Sequence, residues 1–247
     1  MKISVIIPAI DEVQVIGAAV DSAVCAGADE VILADGGSQD GTPAVAESHG
    51  ASVMSAEQGR AHQQNAGAQS AAGDVLLFLH ADCCLPKSGL SEIRGRLSKE
   101  KSCVGGYFRQ HIDGSPLVYR WIETGNLLRA GMLKWAYGDQ AIFVRTDIFR
   151  DIGGFPEIPL MEDLYMMKKL KQRGNLICID SPLLVSARRW ENRGVLRQTL
   201  RNWLLLAAAH LGVSPSVLSR FYPRTTSSKC CGAALLTIAP LLSGSAI

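Results

Sequence analysis

Asp74-Val75-Leu76-Leu77-Phe78-Leu79-His80-Ala81-Asp82 reads as a strand, Asp74 to Leu79, that runs straight into a carboxylate. An unbroken apolar run without polar alternation suits a strand covered on both faces, as in a parallel sheet. An acidic side chain at the exit of such a strand is well placed to hold a divalent cation over a phosphate. Two further acidic points fit the same edge: Asp35 follows Val31-Ile32-Leu33-Ala34, and Glu162-Asp163 opens a helix. Three carboxylate stations along one sheet edge suggest a nucleotide, a metal and a base.

The chain on either side supports a sheet of this kind. Ile3 to Pro8 is a first buried strand. Asp11 and Gln14 fit a capping box, and Ile16, Val20, Ala23 and Val24 form a helical stripe that ends at Gly27. Thr42-Pro43 reads as an N-cap followed by proline at the first helical position. Ala51 to Met54 is a weak third strand, and a helix of small residues from Ala61 to Ala72 leads back to Asp74. Strand and helix alternating in this rhythm predict a mostly parallel α/β sheet flanked by helices. Further on, helices are expected at 88–99, 117–135, 162–173 and 194–211, and strands at 104–110, 141–145 and 176–179. The Thr/Ser-rich joint and apolar tail from Arg224 look appended to a finished domain.

Composition narrows the function. A chain of 247 residues, 47% apolar and 19% charged, is globular and buries a sizeable core. The net charge of +2 gives no footprint for nucleic acid. Seven cysteines, with no C-x-x-C and with neighbours at Cys83-Cys84 and Cys230-Cys231, fit a reducing cytoplasm and free thiols. The first strand is too short an apolar run for a signal peptide, and no window reaches the ~18 apolar residues of a membrane span, the nearest being Trp203 to Leu211 and Gly232 to Leu242. The helix carrying Arg197, Arg201 and Trp203 reads first as packing on the domain or as a homodimer face, with peripheral contact at an inner membrane face behind it.

The turns exclude two nucleotide-binding classes. After the first strand comes Pro8-Ala9-Ile10-Asp11-Glu12, with no glycine before Gly17, so the G-x-G-x-x-G turn of nicotinamide and flavin enzymes is missing. The G-x-x-x-x-G-K-[ST] phosphate loop is also missing. A nucleotidyltransferase would want a basic, glycine-rich loop there, and Ile10-Asp11-Glu12 is acidic. Asp35-Gly36-Gly37-Ser38-Gln39-Asp40-Gly41-Thr42 fits either a base or ribose pocket or an ordinary polar turn. Arg60, near a helix N-terminus, has the fork geometry to meet a diphosphate.

In order, SVIIPAIDE, ADGGSQDGT, GRAHQQNAGA and GDVLLFLHADC resemble the N-terminal half of family 2 glycosyltransferases of the GT-A fold, over roughly the first 85 residues. Gly138-Asp139-Gln140, Gly153-Gly154-Phe155, Met161-Glu162-Asp163-Leu164 and Arg188-Arg189-Trp190 extend the likeness to about residue 222. It is similar in particular to a small bacterial subgroup associated with arsenosugar biosynthesis. The resemblance implies a GT-A domain over 1–222, with a nucleotide-sugar half at 1–110, an acceptor half at 111–222 and a tail at 223–247.

The same resemblance implies roles. Asp82 would hold Mg2+ or Mn2+, with His80 standing where many members carry a first Asp and serving as a second ligand, a diphosphate contact or only a satisfied strand-end histidine. Asp35 would read the base, Pro8, Ala9 and Glu12 would line the nucleoside pocket, and Arg60 would lie near the base or diphosphate. Asp163, beside Glu162, would be the general base that deprotonates the attacking hydroxyl. Arg188, Arg189 and Trp190 would meet the donor diphosphate or the acceptor sugar. The implied activity is inverting sugar transfer, most readily from a UDP-sugar, to an acceptor hydroxyl. The alternative, motivated by His80, is a nucleotide-binding partner protein without catalysis.

Overall fold

A computed structural model describes residues 1–114, 119–120, 123–125, 138–188, 201, 204–205, 208 and 213–219. Its framework is an eight-stranded sheet in the order β3-β2-β1-β4-β7-β6-β8-β5. The strands are β1 (Ile3–Ala9), β2 (Glu30–Asp35), β3 (Ser52–Ser55), β4 (Val75–Phe78), β5 (Cys83–Cys84), β6 (Cys103–Asp113), β7 (Ile142–Arg145) and β8 (Asn175–Ser186). The principal helices are α1 (Ile16–Cys25), α2 (Thr42–Ser48), α3 (Arg60–Ser70), α4 (Gly89–Lys99), α5 (Thr146–Asp151) and α6 (Glu162–Arg173).

The parallel expectation holds for β3, β2, β1 and β4. The second half is mixed: β7 runs antiparallel to both β4 and β6, which leaves β6 and its parallel neighbour β8 pointing the same way as β4. The C-terminal ends of β1, β2, β4, β6 and β8 therefore all open on one edge. Two apolar clusters sandwich the sheet. One centres on Ile7, Leu33, Leu77 and Phe143 under α1 and α4. The other holds Ile6, Phe78, Phe155 and Met166 under α3 and α6. Phe78 and Phe155 meet edge to face, 4.7 Å between centroids.

The link between β4 and β5 forces the sheet to curl. The two strands are consecutive in the chain yet stand fourth and last in the sheet. Five Cα steps reach at most about 18 Å, and a turn with Cys83 N–H donating to His80 O shortens that reach. Four strand spacings in a flat sheet are about 19 Å. The sheet therefore wraps until β8 and β5 come beside the exit of β4, where Leu85, just after β5, donates its N–H to Ser22 Oγ of α1 at 3.0 Å.

Several local expectations need correction. Asp11 and Gln14 do not form a capping box: Asp11 takes a left-handed φ of 52°, and its carboxylate instead accepts from Gln39 N–H at 2.8 Å. Helix α1 starts after Val15 with no side-chain cap. Thr42 is the first residue of α2 rather than its cap, because Asp40 Oδ1 reaches forward to Thr42 N–H at 3.0 Å. Strands β6 and β8 are longer than their apolar runs, since each supplies the other with partners past a register shift. The short β5 and α5 carry too little periodicity to be read from sequence. Most of the helices expected at 117–135 and 194–211, and the tail at 223–247, lie outside the described residues. The five described cysteines are free thiols, and no helix among the described residues is long and apolar enough to cross a membrane.

Candidate active site

The site is built on the edge where the strands end. Ala9 and Asp35 are register partners at the last rungs of β1 and β2. Gln63, buried on α3, donates through Nε2 to Ala9 O and Ala34 O, each at 2.8 Å, and so clamps the two strand ends. Pro8 and Ala9 thereby present a fixed backbone beside the loop after β2. Gln63 was not singled out from the sequence. A glutamine inside a polar helix has no signature until the two strands are side by side.

Asp35 is buried, and its carboxylate folds back on its own loop. It accepts from Gly37 N–H and Ser38 N–H, each at 3.0 Å, and from Ser38 Oγ. The loops after β1 and β2 are then laced together. Ser38 Oγ accepts from Asp11 N–H at 3.0 Å, Thr42 Oγ1 accepts from Glu12 N–H at 2.8 Å, and Asp40 accepts from Val13 N–H at 3.0 Å. Burial pushes the Asp40 carboxyl up, but the bonds from Thr42 and Val13 outweigh it and hold the group below the ordinary carboxylate value.

His80 and Asp82 are both buried in the turn that follows β4. Asp82 O accepts from Ser186 N–H at 3.1 Å, which ties the turn to the end of β8. Asp82 Oδ1 is 3.7 Å from the Cys83 thiol. Among the described residues no three His, Cys, Asp or Glu side chains converge as a cation cage. The buried Asp82 carboxylate is the sparse kind of ligand that a hard divalent cation accepts when substrate phosphates and water complete its shell.

Glu162 and Asp163 open α6 and are buried, and the residue before them, Met161, takes a left-handed φ of 70°. Asn65 positions the approach to this turn. Its amide donates to Phe155 O and accepts from Phe155 N–H, both at 2.9 Å, so α3 grips the loop that climbs to α6. Glu162 Oε1 lies 3.2 Å from Arg60 Nη1. Arg188, just beyond β8, places Nη2 2.7 Å from Glu12 Oε2. Arg189 and Trp190 lie outside the described residues. At the end of β6, Gln110 Nε2 donates to Asp139 Oδ2 at 3.1 Å.

A curled α/β sheet flanked by helices, with laced loops after β1 and β2, a carboxylate after β4 and an acidic helix start, is a fold of the GT-A type. The chain belongs to glycosyl transferase family 2, whose pattern matches residues 4–152. No curated protein matches it. Among solved structures it is similar to S. aureus TarS, with a TM-score of 0.63 and 19% identity over 75% of this chain and 37% of that one. A shorter TarS, 1–349, solved with UDP-GlcNAc, is equally similar at 0.63 and 19%, over 75% and 58%. Glucosyl-3-phosphoglycerate synthase from Mycobacterium tuberculosis, solved with Mn2+, UDP and glucosyl-3-phosphoglycerate, gives 0.55 and 19%, over 73% and 70%. The chain thus spans little more than a third of the longer TarS chain.

Proposed function

We propose that the chain transfers a sugar from a nucleoside diphosphate sugar, a UDP-sugar in the first instance, to an acceptor hydroxyl with inversion. The reading is supported by the position of the laced loops after β1 and β2, the Asp82 turn after β4 and buried Asp163 at the start of α6, all at the strand-end edge of a family 2 chain. Uracil is the donor base favoured by the TarS and synthase structures, which hold UDP or UDP-GlcNAc.

In this reading Pro8, Ala9 and the Asp35 loop seat the nucleoside, and the acceptor capacity left on Asp35 takes an imide N–H. Arg188 and Arg60 meet the diphosphate, with Arg189 and Trp190 beside them. Asp163 removes the proton from the acceptor hydroxyl as its oxygen bonds to the anomeric carbon. The bond from that carbon to the diphosphate breaks, and the electron pair leaves with the nucleoside diphosphate. Asp82, with His80 alongside, would hold Mg2+ or Mn2+, and the ion supplies positive charge against the developing diphosphate anion. Residues 1–222 form the transferase domain, working in the cytoplasm, and the arsenosugar-associated subgroup is the pathway context we favour.

Calorimetry of UDP and GDP with and without Mn2+, on the wild type and on Asp82→Ala, tests the donor site. The expected result is Mn2+-dependent UDP binding that Asp82→Ala removes. Absence of binding by either nucleotide overturns the reading.

A further inference from the structure

Two ion pairs bridge the halves of the site, and they are reciprocal. The nucleotide half gives an acid, Glu12, to an arginine of the other half, Arg188, at 2.7 Å. It also gives an arginine, Arg60, to an acid of the other half, Glu162, at 3.2 Å. Both arginines keep two-fifths of their side chains exposed, although their partners are more buried. Both pairs lie on the strand-end edge. Neither pair is local: Glu12 and Arg188 are 176 positions apart, Arg60 and Glu162 are 102.

The Glu12–Arg188 contact depends on the curl of the sheet. Glu12 is fixed through its backbone, with its carbonyl accepting from Val15 and Ile16 N–H and its N–H donating to Thr42 Oγ1 at 2.8 Å. Arg188 follows β8, which pairs with β5, and β5 lies against α1. With its backbone held, the carboxylate of Glu12 is presented to Arg188 by geometry rather than by chance sampling of a long side chain.

We propose that Glu12 is a built-in stand-in for the donor's diphosphate: it neutralises Arg188 in the empty site and yields it when a nucleoside diphosphate binds. The Arg60–Glu162 pair repeats the construction with the halves exchanged. A guanidinium kept on a carboxylate needs no deep desolvation to be handed to a second anion, because two-fifths of its side chain stays in water. The exchange sets a threshold. A ligand must bring its own anionic oxygens to replace the carboxylate, as the phosphoryl groups of a nucleoside diphosphate do and a sugar or neutral nucleoside does not.

This inference rests on the proposed donor site, and its test separates the two. UDP binding with Mn2+ is measured calorimetrically on the wild type, Glu12→Gln, Arg188→Gln and the double variant. Glu12→Gln preserves shape and every backbone bond, and thermal unfolding confirms that each variant is folded. The expected result is UDP binding tightened about two- to fivefold by Glu12→Gln, the range a half-exposed ion pair is worth. Arg188→Gln should weaken binding, and Glu12→Gln should then have no further effect. If the wild type binds UDP but Glu12→Gln leaves affinity unchanged or weakens it, the stand-in is overturned and the donor site survives. If the wild type binds no UDP, both fall.

Discussion

At the scale of single residues, the two buried polar groups Asp163 and Gln63 are open to separate tests. Asp163 is the proposed base. Asp163→Asn keeps its size but removes its proton affinity, so turnover of a UDP-sugar should fall by about 10²- to 10⁴-fold, the usual worth of a general base. UDP affinity should stay within about twofold of the wild type. A single-turnover assay alongside UDP calorimetry checks both, and unchanged turnover would remove Asp163 from the mechanism. Gln63 acts through structure. Gln63→Leu leaves Ala9 O and Ala34 O without their shared donor, at a cost of about 1–3 kcal/mol in urea unfolding, and should also weaken UDP, because the backbone under the nucleoside loses its clamp.

At the scale of elements, the loop from α5 to α6 is the part whose backbone decides where Asp163 stands. Gly153 and Gly154 both take left-handed conformations, with φ of 74° and 66°. They differ in surroundings: a Cβ on Gly153 would meet nothing within 4 Å, whereas one on Gly154 would lie 2.7 Å from Asn65 Oδ1. Gly153→Ala should therefore cost only the left-handed penalty, about 1–2 kcal/mol. Gly154→Ala should cost more and, by prising Asn65 off Phe155, should lower kcat further than it raises the donor KM. Equal stability losses in the two variants would show that the Asn65 grip contributes nothing.

At the scale of the whole molecule, acid acts at both edges of the sheet, through Asp29 opposite the site and Asp40 beside it. Asp29 Oδ2 accepts from Ile3 N–H at 2.8 Å and from Arg94 Nη2 at 2.6 Å, joining α4 to the start of the sheet. The Ile3 N–H holds the Asp29 carboxyl below its ordinary value, against burial and with help from Arg94. Asp40 is lowered likewise beside the site, where hydrogen bonds overcome burial. A carboxyl whose folded value is depressed binds its proton more readily in the unfolded chain. Its stabilisation is therefore present above the unfolded value of about 3.9 and is lost as pH falls through the lower folded value. Thermal unfolding from pH 7 to pH 3 should show Asp29→Asn less stable than the wild type at neutral pH, with the gap closing in acid. A gap constant with pH would mean that Asp29 contributes through shape alone.

Much of this was legible in the amino-acid order, because the signals were local. Unbroken apolar runs mark β1, β2 and β4, since a strand covered on both faces has no polar side. The acidic start of α6 is visible because the residues that end a loop and open a helix are neighbours in the chain. The family likeness rests on the same short motifs. What only the tertiary structure decided is everything that depends on distant residues meeting. The antiparallel turn of the sheet at β7, the curl forced by the short link from β4 to β5, the clamp of Gln63 and the pairing of Glu12 with Arg188 leave no mark on a linear pattern. Each arises because packing brings together groups tens to hundreds of positions apart, and their hydrogen-bonding and charge needs are met only there.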